Sequence, residues 1–314
     1  MNAVPQTREQ FSSHLPALHL LCNLGWNFLS TAACLALRGS TREVVLRPRL
    51  VEVLQTRRFE YKGVWYPLSP SGIEQIVREL SALSLTEGLL PANERLYQKL
   101  ALGITVTEFM PDGKKHQPTI AVIDWADPAA NRWEVTEELE VLSTHGTHSR
   151  IPDLVCYVNG LPLAVIEAKR PESGKAEKPT VDEGISQNLR NQRHDEIPQL
   201  FAYAQLLLAV NHSEGRYGTT FTAAKFWARW REEEFSDGQL AEWKNRPLSA
   251  ATHAALFADK PAKLREHFEQ LWAQTMLPTE QDRLLVALLT PARLLEFLRF
   301  FVLFDRKVGK VVAR

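Results

Sequence analysis

Cysteine is scarce in these 314 residues: there are three, at positions 22, 34 and 156, with no C-x-x-C spacing. A count so small and odd supports no disulfide framework and argues for reduced, buried thiols in a cytosolic protein. Long apolar runs are missing as well. The longest lie near Leu206–Val210 and Leu284–Leu289, far short of the roughly 20 residues of a membrane span. The first ten residues, MNAVPQTREQ, are polar and contain no apolar signal core. The expectation is a soluble cytoplasmic chain with no membrane partner. Net charge is absent too, with 37 Lys plus Arg against 37 Asp plus Glu. Any nucleic-acid partner would have to meet a local basic face rather than a basic molecule. Neither a G-x-x-x-x-G-K-[ST] phosphate loop nor a G-x-S-x-G elbow occurs, which removes the corresponding ATPase and hydrolase chemistries from these residues. Internal repeats and low-complexity tracts are absent.

What is present is an ordinary globular composition, 45% hydrophobic and 24% charged, in a chain long enough for two domains or for one with a long appendage. Residues 14–38 carry helical apolar spacing, interrupted around Gly25-Trp26. A helix is expected after the loop at Pro67–Gly72, through Leu80, with Ser71 as its cap, and another over Pro91–Leu102 capped by Asn93. From Gly103 the period becomes strand-like. ITVTEFM, TIAVIDW, RWEVTEELEV, DLVCYV and LPLAVIEAK follow one another between turn residues and predict an antiparallel meander. A polar loop, RPESGKAEKPTVDEG, leads to a helix from about Ile185. Gln199–Gln205 reads as a further helix and LLLAVN as a short buried strand. From about Gly238 the chain is mostly helical, and its last residues, KVGKVVAR, are β-prone with no stop signal, which suggests truncation.

One stretch stands out: residues 151–171, IPDLVCYVNGLPLAVIEAKRP. Two apolar strands flank an Asn159-Gly160 turn, yet the open end of the hairpin carries Asp153, Glu167 and Lys169. Glu167 and Lys169 are two apart on a strand and point to one face. Two carboxylates suit a hard cation such as Mg²⁺, and a lysine beside them can orient water or stabilise charge developing on a phosphate. Solvated charges at a strand end are the ordinary alternative. Register sharpens the choice. An unbulged two-residue turn pairs Val158 with Leu161 and so Asp153 with Ile166, which sends Asp153 and Glu167 to opposite faces. The site therefore requires a bulge, at the turn around Gly160 or elsewhere in the hairpin.

Other candidates are weaker. Gln187 on the following helix could bond a bound water or phosphate, or be plain helix surface. Lys175, Lys178, Arg190 and Arg193 could form a basic rim for DNA backbone, or merely be solvated. Glu94 could add a carboxylate, or sit in the first turn of its helix for the dipole. His145 and His148 read as loop residues, and Trp227 and Trp230 as packing residues rather than base-stacking platforms.

The stretch RIPDLVCYVNGLPLAVIEAKRP resembles the nuclease signature of the R (restriction) subunit of type I restriction enzymes. NLGWNF, ANERLYQKLALGITV, VIDWADPAANRWEVTEELEV, IPQLFAYAQLLLAVN, GRYGTTFTAAKFWARW and LLTPARLLEFLRFFVLFD resemble the same family in the same order, so the likeness covers nearly the whole chain. It implies an α/β fold: a restriction-endonuclease-like PD-(D/E)xK core with a mixed central sheet flanked by helices, plus a helical C-terminal segment. The implied division is an N-terminal layer over 1–90, a nuclease core over 91–235 and helices over 236–314 leading to a motor not contained in these residues. By the resemblance, Asp153, Glu167 and the backbone carbonyl of Ala168 hold Mg²⁺, Lys169 is catalytic and Gln187 supports the site from a Q-x-x-x-Y element. The tyrosine of that element falls on Asn191, and Ile151 separates Arg150 from the Pro-Asp pair that it directly precedes in the family. The implied activity is endonucleolytic hydrolysis of double-stranded DNA in a complex with modification and specificity subunits, weak or silent without the rest of the assembly. ATP is implied only for the longer subunit. The alternatives are a non-cleaving DNA-binding or assembly module, or a truncated remnant.

Overall fold

The computed structural model describes residues 13–170, 180–231, 235–305 and 310–313. A six-stranded sheet runs through it in chain order. Its strands are β1 (Asn27–Leu29), β2 (Trp133–Glu137), β3 (Leu154–Val158), β4 (Leu161–Ala168), β5 (Leu206–Asn211) and β6 (Glu214–Gly218). The β1–β2 and β4–β5 pairs are parallel, and the other three are antiparallel. The sheet is thus mixed, with helices packed around it. β3, β4 and β5 are buried at every position, so their near-continuous apolar runs serve two covered faces.

The helices are α1 (Leu15–Asn23), α2 (Thr31–Arg38), α3 (Arg47–Thr56), α4 (Pro70–Ser81), α5 (Leu89–Leu102), α6 (Thr180–Asn191), α7 (Pro198–Phe201), α8 (Asp237–Asn245), α9 (Ala250–Phe257), α10 (Ala262–Trp272), α11 (Glu280–Leu289) and α12 (Pro291–Phe300). Two glycines show which sides they cover. A Cβ added to Gly184 of α6 would lie 3.2 Å from the Cβ atoms of Glu167 and Ala209, which pair across β4 and β5. A Cβ on Gly215 would lie 2.7 Å from Leu284 Cδ2 of α11, and Gly215 pairs with Val210, the next residue along β5. Successive residues of a strand point to opposite faces, so α6 and α11 cover opposite sides of the sheet. Buried side chains from Leu15 to Val302 form one continuous cluster. Among the described residues no helix is long and apolar enough to cross a membrane.

Several expectations change. The break in helical spacing after Gly25 is strand β1, too short for a period to reveal and fixed by pairing with β2. The meander shrinks: residues 104–105, 108–109, 115–116 and 119–120 form two small ladders outside the sheet. The cap of α4 is Ser69, whose hydroxyl accepts from Gly72 N–H at 3.1 Å, because Pro70 occupies the first helical position. α5 starts at Leu89 after Gly88, and Asn93 is buried instead of capping it. Its amide donates to the carbonyls of Phe201, Ala202 and Ala204 at 3.0, 3.3 and 2.9 Å. α6 starts at Thr180, five residues before the expected Ile185. The chain after α12 is strand, Val302–Asp305 pairing with Lys310–Ala313.

Candidate active site

The hairpin of β3 and β4 turns on Asn159 and Gly160, both left-handed at φ 54° and 82°, as a two-residue turn of the hairpin-favoured primed type requires. Nothing is inserted there: Val158 pairs with Leu161 and Tyr157 with Pro162. The next pair is Cys156 with Ala164, so Leu163 is the extra residue. The bulge therefore lies within β4 rather than at the turn. Beyond it Leu154 pairs with Ile166, which sets Asp153 opposite Glu167 and on the same face. Gln205 N–H donates to the Leu163 carbonyl at 2.8 Å, which satisfies the backbone at the bulge.

Lys169 joins the two acids. Its ammonium donates to Asp153 Oδ2 at 2.9 Å and to Glu167 Oε2 at 3.2 Å, and Asp153 Oδ2 also accepts from Ala168 N–H at 2.7 Å. Glu167 is 2% exposed and Lys169 5%, whereas the Asp153 side chain retains 21% exposure and opens the cluster to solvent. Burial, and next the Asp153 carboxylate, push the Glu167 carboxyl well above the usual carboxylate range, against the pull of Lys169. Two acids crowded on a buried strand end favour a cation between them. Among the described residues no group of three or more His, Cys, Asp or Glu side chains is placed to hold a metal. A cation at Asp153 and Glu167 would complete its shell from backbone, water and substrate oxygens, the mixed set that Mg²⁺ takes. The residues fit that ion.

A second polar cluster gathers on Glu196. Arg150 donates to both oxygens of Glu196, at 2.6 and 2.7 Å, and His148 Nε2 lies 2.9 Å from Glu196 Oε2. The Arg150 pair chiefly holds the Glu196 carboxyl down at about 2. His148 thus has a partner that its loop position did not announce. On the opposite sheet face Glu137, paired with Leu154, is held by His14 at 3.1 Å and by Lys260.

A family model described as the type I restriction enzyme R protein N terminus matches residues 6–226. This chain belongs to that family. It is 28% identical over 248 residues to the type I restriction enzyme HindI endonuclease subunit of Haemophilus influenzae, covering 79% of this chain and 20% of that protein. To the putative MjaIXP endonuclease subunit of Methanocaldococcus jannaschii it is 27% identical over 219 residues, 69% of this chain and 18% of that protein. The chain spans about a fifth of the length of these relatives.

The other candidates from the sequence, and the two positions of the Q-x-x-x-Y element, lie on several elements. Gln187 is half-buried on α6, one turn beyond the contact of Gly184 with Glu167. Asn191, at the tyrosine position, is buried and accepts from the Arg190 guanidinium at 3.1 and 3.2 Å. Arg190 lies near the far end of α6, about 9 Å along the axis from Gly184 at ~1.5 Å per residue, and the exposed Arg193 follows the helix. Lys175 and Lys178 fall outside the described residues. Glu94 lies on α5, where it accepts from Gln98 at 3.4 Å. Its neighbour Asn93 bonds the Ala204 carbonyl before the start of β5. Trp227 is buried, with its indole N–H on the Thr222 carbonyl, and Trp230 packs edge-on against Tyr217. The sequence reading passed over Gly184, although a glycine inside a helical pattern is itself a signal of close packing.

Proposed function

We propose that Asp153, Glu167 and Lys169 form the Mg²⁺-dependent centre of a PD-(D/E)xK endonuclease core, spanning about residues 91–235, that hydrolyses phosphodiester bonds of double-stranded DNA. The reading places the chain in a cytoplasmic restriction complex with modification and specificity subunits. The observation that carries it is the bulge at Leu163, which sets two carboxylates opposite each other with one lysine bonded to both. A β-bulge that re-aims a side chain beside a polar cluster is a common active-site device.

In this reading Asp153 and Glu167 would hold the ion, with the Ala168 carbonyl as a further oxygen. When bound, Mg²⁺ supplies positive charge to the scissile phosphate and acidifies water. Asp153, the more open acid, faces the substrate side. Lys169 orients the attacking water or offsets the charge that builds on the phosphate oxygens. Its hydrogen bonds to both acids fix the ammonium in advance, so little reorganisation is needed at the moment of reaction. Gln187, one turn along α6 from Gly184, would bond a phosphate or a water at the site.

Plasmid nicking tests the proposal. The chain is assayed alone and with the remaining domains and partner subunits supplied. Cleavage that needs Mg²⁺ and falls about a hundredfold or more in Lys169→Ala is expected. Cleavage that survives that substitution, or survives chelation, rejects the centre. DNA binding without cleavage in every assembly favours a non-cleaving module instead.

A further inference from the structure

We infer that Gly184 is a positioning residue of the acidic centre: its missing side chain lets α6 close onto Glu167 and Lys169 and holds the metal-binding geometry in place. The inference rests on the reading of Asp153, Glu167 and Lys169 as a metal centre and adds a residue outside that set.

The argument begins with a misfit between sequence and element. Gly184 lies inside α6, Thr180–Asn191, where glycine weakens a helix relative to alanine. No left-handed backbone requires it, since Gly184 is not among the positive-φ glycines. Space does. A Cβ at Gly184 would lie 3.2 Å from Glu167 Cβ, 3.2 Å from Ala209 Cβ and 3.5 Å from Lys169 Cγ. The first two contacts are tighter than side chains ordinarily make, and both partners are Cβ atoms fixed to sheet backbone. They cannot swing away as the end of a long side chain would. A methyl group there must lift α6 or displace β4 by a few tenths of an ångström. The residues it would press on are a carboxylate ligand and the lysine that bonds both acids. Along the same face Asn188 donates to the Leu208 carbonyl at 3.4 Å, so α6 is tied to β5 one turn further on. Lifting would concentrate at Gly184, next to the acids. Groups that orient ligands without touching the ion commonly change affinity tenfold or more.

The test measures Mn²⁺ binding by isothermal titration on the full chain, with thermal melts alongside. Gly184→Ala is expected to bind Mn²⁺ about tenfold more weakly while remaining folded, the melts reporting how far the better helix former offsets the crowded Cβ. Adding Ala209→Gly removes one of the two tight contacts and recovers part of the affinity. Wild-type affinity in Gly184→Ala, or no recovery in the double variant, overturns the inference. If Gly184→Ala does not fold, the double variant is compared with Ala209→Gly alone: weaker binding in the double variant supports the role and equal binding overturns it. Asp153→Asn separates the two levels of the argument. If it abolishes binding while Gly184→Ala does not, only the role of Gly184 falls. If wild type binds no Mn²⁺, or Asp153→Asn leaves binding unchanged, the metal centre itself falls and this role with it.

Discussion

Two buried glutamates show opposite solutions to the same problem. Glu167 meets another acid and too little positive charge, so burial and the Asp153 carboxylate drive its carboxyl upward. Glu196 meets the fork of Arg150, and then His148, and its carboxyl falls from 4.5 to about 2. A carboxyl depressed in the folded state contributes stability above its unfolded value and loses it as pH falls toward the folded one. Glu196→Gln is therefore expected to lower the melting temperature at pH 7, and the gap to wild type should narrow as pH drops from about 4.5 toward about 2. Melts at stepped pH read this, and a gap that stays constant below pH 4 contradicts it. The acids of the hairpin were legible in sequence because they interrupt an apolar run. Glu196 was not, because its arginine lies 46 residues away in the chain and nothing local pairs them.

At the level of the element, the hairpin shows how parity is set. An inserted residue was required somewhere, since an unbulged hairpin would send the two acids to opposite faces. Its place was decided elsewhere. The Asn-Gly turn is locked: the Asn159 side chain is fully buried, accepts from Arg132 N–H at 2.7 Å, and donates to the Val122 carbonyl at 2.9 Å and to Asn131 at 2.8 Å. Gly160 receives Leu46 N–H on its carbonyl at 2.9 Å, and a Cβ there would come 2.6 Å from the Leu46 carbonyl oxygen. With the turn held against the start of α3, the extra residue moves up the strand to Leu163. Gly160→Ala meets both the left-handed penalty and this contact, and should destabilise the chain by about 2 kcal/mol or more. Urea unfolding measures it, and a loss below about 0.5 kcal/mol would mean that the turn relaxes freely.

Across the whole molecule, the sheet depends on a helix from far along the chain. Leu284 of α11 fills the space that Gly215 leaves on β6, and α11 also packs on β5 and α1. The Trp26 indole N–H donates to the Leu289 carbonyl at 2.7 Å, which ties the end of α11 to the residue just before β1. A chain ending at residue 235 would uncover this face of β5 and β6. It is expected to lose cooperative unfolding and to aggregate, as thermal melts and light scattering would report. A soluble, cooperative fragment would show that the C-terminal helices are dispensable to the sheet.

The sequence by itself determined the features that depend on neighbours. These are the apolar strands and their turn, the placement of Asp153, Glu167 and Lys169 at the open end, the need for a bulge, and the resemblance of ordered blocks to the R-protein family. Tertiary structure alone decided which strands meet and what each element covers. It joined Asn27 to Trp133 across 106 residues, placed the bulge at Leu163 and pressed Gly184 onto the acids. The physical reason is range. Periodicity and turn chemistry act over a few residues, whereas pairing and packing are settled by which arrangement buries the most apolar surface with every backbone group satisfied.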